Sequence, residues 1–536
     1  MTIFSRIRRP TAYALWSLAF WLCLGFAPIV RAQVAPTGNT SQQLVFAGLS
    51  TVAAHGQVVA LKSDAAGNLY LLLNQGDGVR ILKTDSSASS ILAQAQLGAS
   101  GDAGVGLALD PAGNVYVAGT TSSASFAATS GAAFGTRMGT SVNSFVARFD
   151  AGLHPVFVTF TGGSRIVASA LAATADAVFV TGITYSSDLP VTSNGVQQTP
   201  APGSAQSGFV ERFSTDGMRL EYATYLTGAL GSTTPTAIAA DIADNAYVAG
   251  STTASGFPTV AALVPNILGN PSGFLTKLTP LGDGYSFSTF VPGAGLTSVA
   301  LDASGKTLLA SGSVSLGQFP VDTNTMPLGP GTYQVLLKLP LDGSTVLSGT
   351  LIAPGTQSYL AAAGNGAVWV DGTLSAPLLP IPALSGVGTG FAVRVNASGT
   401  IDQTARFGGV ANGNPSFASL PLNLSALAVD STGQAIVGGS AQPTASSALL
   451  ATETYDLALR NAATAALPSA LSDAKLQSNT CNGSLCGGSA AYLAKLNSAV
   501  SAPALSFQST QRPASCCGTW VRPQPPGWFW PRARRP

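Results

Sequence analysis

The chain has little charge: 9% of its 536 residues are Asp, Glu, Lys or Arg, with 25 bases against 23 acids. A net charge of +2 gives no electrostatic reason to expect nucleic acid as a partner, and none is predicted. Histidine is nearly missing too. His55 and His154 stand about a hundred residues apart, outside any cluster of Cys or acids, so a zinc centre or a Ser-His-Asp triad has almost no material to be built from. The reading is no metal, no cofactor and no catalytic residue. Beyond residue 30 no uninterrupted apolar run is long enough to span a bilayer, so no membrane span is expected in the mature chain; Ala dispersed along the sequence raises the mean hydropathy instead.

The first thirty residues differ. Arg6, Arg8 and Arg9 precede an apolar stretch from Ala12 to Val30 that ends in Val-Arg-Ala, the small-residue pattern of a secretory signal cut after Ala32. Residues 1–32 are therefore read as a bacterial signal peptide, and the body as secreted or displayed at the cell surface. Export makes an oxidising compartment, in which Cys481 and Cys486 are spaced to form a local disulfide.

What the body does contain is repetition. LDPAGNVYVAGTT at 109–121 recurs as SDAAGNLYLLL at 63–73, ADIADNAYVAG at 240–250 and VDSTGQAIVGG at 429–439. In the first of these, Pro sets φ while Gly113 and Asn114 tolerate a left-handed backbone, and a β run follows, so the phrase reads as a hairpin turn. Aligning the copies on Tyr116 puts Tyr70, Tyr116, Phe179, Tyr247, Leu308, Trp369 and Ile436 in one slot. The slot recurs about every sixty residues.

Two more phrases follow each turn. SFVARF (144–149), GFVERF (208–213) and GFLTKL (273–278) alternate apolar and mixed faces, and PVFVTFTGG (155–163) and LEYATYLTG (220–228) alternate and stop at Gly. With the short run before each turn, every unit holds four strands and no helical period. Seven such units predict an all-β fold, a seven-bladed β-propeller of four-stranded antiparallel sheets spanning 43–510. Blades fall near 57–101, 104–165, 166–231, 235–295, 296–355, 356–418 and 422–510, the last stretched by an insertion at 441–489. QLVFAGLS (43–50) has the pattern of an outer strand and is expected to complete the last blade, closing the ring. ALSFQST (504–510) has the same pattern, which makes eight candidates for seven places. The surplus strand is read as the start of a further β domain if the N-terminal one closes the ring. From 511 the composition breaks into Arg, Pro and Trp without any acid, and 511–536 is read as a disordered or frameshifted tail; resequencing that returns an intact frame removes the second option.

The motifs GNVYVAGTT (113–121), SGFPT (255–259), SFVARF (144–149) and YATYLTG (222–228) resemble those of the bacterial β-propeller repeat proteins called SBBP, over about residues 57–500. The resemblance implies an exported or cell-surface protein, often with attached immunoglobulin-like domains, and no family-wide catalytic residues. The repeated acids Asp64, Asp110, Asp241, Asp302 and Asp430 read as turn residues rather than calcium ligands. The repeated bases Lys83, Arg148, Arg212, Lys277, Lys338, Arg394 and Lys495 read as a solvated sheet edge. The function expected is non-catalytic: a monomeric binding or scaffolding module for a protein or glycan. The alternative is an extracellular carbohydrate-active or lyase enzyme with acids at the channel mouth. An outer-membrane barrel is a third option, for which strands of five to seven residues are too short.

Overall fold

The computed structural model describes residues 43–47, 57–88, 90–139, 142–293, 295–315, 332–353, 355–374, 390–407, 422–441 and 490–497. The signal segment 1–32, Cys481 and Cys486, all of the insertion except Ala441, the surplus strand 504–510 and the tail 511–536 lie outside the described residues.

Strand β1 (Gln43–Ala47) precedes seven sets that follow the chain in order. Blade one holds β2 (Gln57–Ser63), β3 (Leu69–Gln75), β4 (Gly78–Thr84) and β5 (Ile91–Leu97); blade two β6 (Ala103–Leu109), β7 (Val115–Thr121), β8 (Asn143–Phe149) and β9 (Pro155–Phe160). Blade three has β10 (Ile166–Ala173), β11 (Ala177–Thr184), β12 (Ser207–Ser214) and β13 (Leu220–Leu226); blade four β14 (Thr233–Ala240), β15 (Ala246–Thr252), β16 (Ser272–Leu278) and β17 (Tyr285–Val291). Blade five has β18 (Gly295–Leu301), β19 (Thr307–Ser315), β20 (Thr332–Pro340) and β21 (Ser348–Ala353); blade six β22 (Gly355–Ala362), β23 (Val368–Leu374), β24 (Gly390–Val395) and β25 (Ile401–Phe407). Blade seven has β26 (Leu422–Val429), β27 (Ala435–Ala441) and β28 (Ala490–Asn497), and on its outer edge lies β1, antiparallel to β28 with Gln43 opposite Asn497 and Ala47 opposite Ala494.

There is no central core. Instead seven apolar clusters fill the seven seams between neighbouring sheets, as when Tyr70, Leu72 and Ile81 of blade one meet Val115, Val117 and Phe145 of blade two. The seventh seam joins the ends of the series: Val58 and Leu61 of blade one pack with Ala426, Ile436 and Leu493 of blade seven. Second strands sit inside each sheet with seams on both faces, which is why they read as nearly unbroken apolar runs such as LYLLL in β3 and VYVAG in β7. First strands adjoin one another around the axis and carry a β-bulge, and there hydroxyls cross the seams: Thr236 Oγ1 donates to the Leu296 carbonyl at 2.6 Å and Thr297 Oγ1 to that of Ser358 at 2.6 Å. Each apolar contact and each crossing bond belongs to a pair of blades, so no blade is complete alone.

The antiparallel order gives the ring two unlike faces. One carries the tight hairpins between first and second and between third and fourth strands; the other carries the connections between second and third strands. In blades two to four these longer connections turn outward and lie along the outer strand. Thr129 N–H donates to the Val158 carbonyl at 2.9 Å, Tyr225 N–H to Gln197 at 3.0 Å, and Val260 exchanges bonds with Ser288. Phenylalanines pin those of blades two and four: Phe126 stacks on Phe145 with ring centres 4.5 Å apart, and Phe257 lies 4.7 Å from Phe274; in blade three the Leu189 N–H donates to the Tyr225 hydroxyl at 3.1 Å. Blade one makes the same connection in two residues, Gly76 and Asp77, and its outer strand β5 stays open, with Ile91 and Leu92 exposed.

Candidate functional site

The tight-hairpin face is built from a repeated set of three residues. In blade two the Asp110 carboxylate closes the turn by accepting from Asn114 N–H at 2.9 Å and Asn114 Nδ2 at 2.7 Å, while Gly113 takes φ +81°. The Tyr116 hydroxyl then donates to Asp110 Oδ2 at 3.3 Å, and the Arg148 guanidinium lies over the Tyr116 ring, 5.7 Å from its centre. Blade one repeats this with Asp64, Tyr70 and Lys83, and blade four with Asp241, Tyr247 and Lys277. Burial opposes ionisation of Asp241, yet its bonds from Asn245 and Tyr247 prevail and hold the carboxyl below its ordinary range. Burial, with the added bond to Asp241, pushes Tyr247 upward. The acids of these turns are thus engaged by their own hairpins.

The bases do not form a solvated edge, which corrects the sequence expectation. Arg394 faces Asp402 of its own blade at 4.0 Å, while the other six reach across a seam to a carbonyl in the outer hairpin of the next blade: Lys83 to Ala151 at 3.0 Å, Arg148 to Thr215 at 2.8 Å, Arg212 to Pro280 at 2.9 Å, Lys277 to Leu341 at 3.3 Å, Lys338 to Asn396 at 2.9 Å and Lys495 to Ser86 at 3.3 Å. The last joins blade seven to blade one. Arg212 also pairs with Asp244 at 2.6 Å, and Lys495 with Asp430 at 2.7 Å. The cause is positional: a base opposite the slot residue stands at the hairpin end of its strand, where the neighbour's turn offers carbonyls that no strand has used.

The slot residues Tyr70, Tyr116, Phe179, Tyr247, Trp369 and Ile436 stand opposite Lys83, Arg148, Arg212, Lys277, Arg394 and Lys495. In blade five the residue opposite Lys338 is Leu309, while Leu308 faces Leu339 and points into the other seam. The turn there has one residue more: Asp302 N–H bonds to the Thr307 carbonyl, five residues on, where Asp110 bonds to Asn114, four on. With leucine in the slot, a cleft of about 430 Å³ opens between blades five and six, bounded by Asp302, Leu309 and Lys338 on one side and Gly366 and Ala397 on the other.

Two buried carboxyls escaped the sequence reading. Glu211 is wholly enclosed at the seam of blades two and three, where the Gly162 N–H donates to Oε1 at 3.2 Å, and burial raises its pKa to about 8. Asp371, equally enclosed in β23, is also raised well above the ordinary carboxyl range by burial. The available signal was an acid at a position where sister strands carry apolar residues, Leu82 and Ala147 for Glu211, Leu72 and Ala118 for Asp371. Around the axis the seven first strands hold one charged residue, Lys62, and no acid; the corresponding residues of the other six are Ala108, Ala172, Ala239, Ala300, Ala361 and Ala428. Lys62 keeps access to solvent, and the walls around it lower its pKa. Among the described residues no group of three or more His, Cys, Asp or Glu could hold a metal ion, and no helix is long and apolar enough to cross a membrane.

The β-propeller repeat family SBBP matches residues 95–127 and 221–258. Both matches begin on the outer strand of one blade, β5 or β13, and end just past the second strand of the next, so each repeat straddles a seam. No curated protein matches the chain. Two solved structures are similar to it: the WD40 β-propeller domain of Doa1, 10% identical over 75% of this chain and 94% of that one with a TM-score of 0.41, and the β-propeller domain of Cps50 (Swd1) from Myceliophteria thermophila, 8% identical over 72% and 93% with a TM-score of 0.36. The chain is a seven-bladed propeller in which residues 95–127 and 221–258 match the SBBP β-propeller repeat.

Proposed function

We propose that this is an exported, non-catalytic propeller that binds a protein partner through its tight-hairpin face. The observation that carries the reading is a set of apolar side chains held out from rigid turns of blades three to five: Met218, Leu281 and Leu347 are more than half exposed, and Ile242 wholly so. Their turns are fixed by backbone bonds, Gly217 to Ser214, Asp244 to Asp241 and Gly282 to Thr279, so the backbone that presents these residues needs no further ordering. Aliphatic tips of this kind suit a protein surface; a glycan is recognised by flat aromatic platforms and polar groups, so protein is the preferred ligand class. Export rests on the basic and apolar N-terminal segment.

The test is a screen of purified surface proteins and glycans against the chain lacking residues 1–32 and 512–536, repeated with Ile242→Ser and Leu281→Ser combined. A protein ligand that loses at least tenfold in affinity with the double variant supports the proposal, that loss being about 1.4 kcal/mol. Binding unaffected by the pair moves the interface elsewhere. Silence across both panels favours catalysis or a purely architectural role.

A further inference from the structure

We propose that the cleft in blade five is a binding site for a phenolic ring, which takes the place that tyrosine fills in blades one, two and four. In those three blades the same furniture recurs. A tyrosine ring from the second strand lies beneath a cation from the third, at 5.0, 5.7 and 4.9 Å, and its hydroxyl donates to the turn aspartate at 3.4, 3.3 and 2.9 Å. Blade five keeps the aspartate, Asp302, and the cation, Lys338, but the ring between them is absent because Leu309 holds the slot.

Both polar partners are fixed without a ligand. Lys338 Nζ donates to the carbonyls of Gly366 at 3.1 Å and Asn396 at 2.9 Å, and the residue is 6% exposed, so its ammonium cannot swing away. Asp302 Oδ1 accepts from the N–H groups of Lys306 and Thr307 at 2.9 Å, and Oδ2 accepts from the exposed hydroxyl of Ser304 at 2.8 Å, with the Thr307 side chain also bearing on the carboxylate. In the sister blades the corresponding Oδ2 takes the tyrosine hydroxyl.

The three walls select one chemistry. A cation above an apolar floor favours the face of an aromatic ring and repels ammonium or guanidinium groups. A carboxylate at the far end rejects anions and accepts a hydroxyl proton. The cleft exceeds the volume of one ring and opens to solvent, so a substituent on the ring can extend outward. A free phenol and the tyrosine of a polypeptide share this chemistry. The inference stands apart from the protein-binding reading, since a small phenol tests the cleft alone.

The experiment titrates the chain lacking residues 1–32 and 512–536 with 4-ethylphenol, 4-ethylanisole, which has no hydroxyl donor, and N-acetyltyrosinamide, followed by calorimetry or ligand-observed NMR. Saturable binding of 4-ethylphenol is expected, about tenfold tighter than 4-ethylanisole because the latter leaves Oδ2 without its proton. Leu309→Tyr refills the slot and is expected to abolish binding with an unchanged or higher melting temperature. Asp302→Asn gives a second reading that does not need Leu309→Tyr to fold: it is expected to erase the preference between phenol and anisole. N-acetyltyrosinamide binding as well as 4-ethylphenol points to a polypeptide tyrosine as the source, and its exclusion points to a free phenol. Absence of saturable phenol binding, equal affinity for phenol and anisole, or full affinity in a folded Leu309→Tyr variant overturns the proposal.

Discussion

Blades two to four and blade one treat their outer edges in opposite ways. The outer strands β9, β13 and β17 are overlaid by connections tied down by backbone hydrogen bonds and, in blades two and four, by phenylalanine, while β5 presents ILAQAQL to solvent without a proline or a charge. The contrast follows from one length. A connection of two residues turns straight back, whereas one of about twenty has enough chain to pass over the outer strand and must satisfy its own backbone there. In this ring the covering of an edge is therefore done by the loop, and blade one, which has no such loop, leaves a strand able to template further pairing.

The most severe test asks whether an outer strand is dispensable at all. Deleting residues 43–47 strips the seventh sheet of β1, and if that pairing fastens the ring, the cooperative unfolding transition in urea is expected to break up or vanish; a transition that keeps its midpoint and slope would show that the seam of blades seven and one suffices. Next, Phe257→Ala unpins the blade-four connection from Phe274 and Phe290 and is expected to cost about 3 to 5 kcal/mol in chemical denaturation, while Leu92→Ala on bare β5 costs under about 0.5 kcal/mol. Equal losses at the two sites would erase the contrast.

The third test concerns Glu211, buried in a covered blade where blade one carries Leu82. Its folded pKa of about 8 lies above the ordinary 4.5, so the folded state holds its proton more tightly than the unfolded chain. Stability from this group is complete below about pH 4.5, falls as pH rises toward 8, and is flat beyond. Glu211→Gln is expected to match the parent near pH 4 and exceed it by about 3 kcal/mol at pH 7, measured as urea midpoints across that range; parallel pH profiles would refute the assignment. The smallest effect is Leu92→Lys, which leaves stability within about 0.5 kcal/mol and is expected to slow aggregation at high concentration by guarding the open edge, read by light scattering.

Much of this was legible from the residues. Asp110-Pro-Ala-Gly113-Asn114 announces its turn by φ preferences alone, and the alternation in SFVARF fixes which side chains share a face. Leu308 shows the limit: counting from Asp302 gives the wrong residue because one extra turn residue advances the register, and only the pairing with Lys338 corrects it. The bases were legible as a series but not as bridges, since the groups they bind, Ala151, Thr215 and Pro280, are backbone carbonyls with no side-chain signature. The cleft was hidden for a related reason: it is a missing ring, visible only once three filled copies define the place.

The offset between repeat and sheet has a genetic corollary. The match at 221–258 covers β13, β14 and β15, the junction of two blades, so duplicating or losing a full four-strand period in that phase changes the number of blades while every junction stays matched to itself. Growth of such a gene by whole units never has to invent a new mating surface, and the burden of novelty falls on the two ends that must find each other.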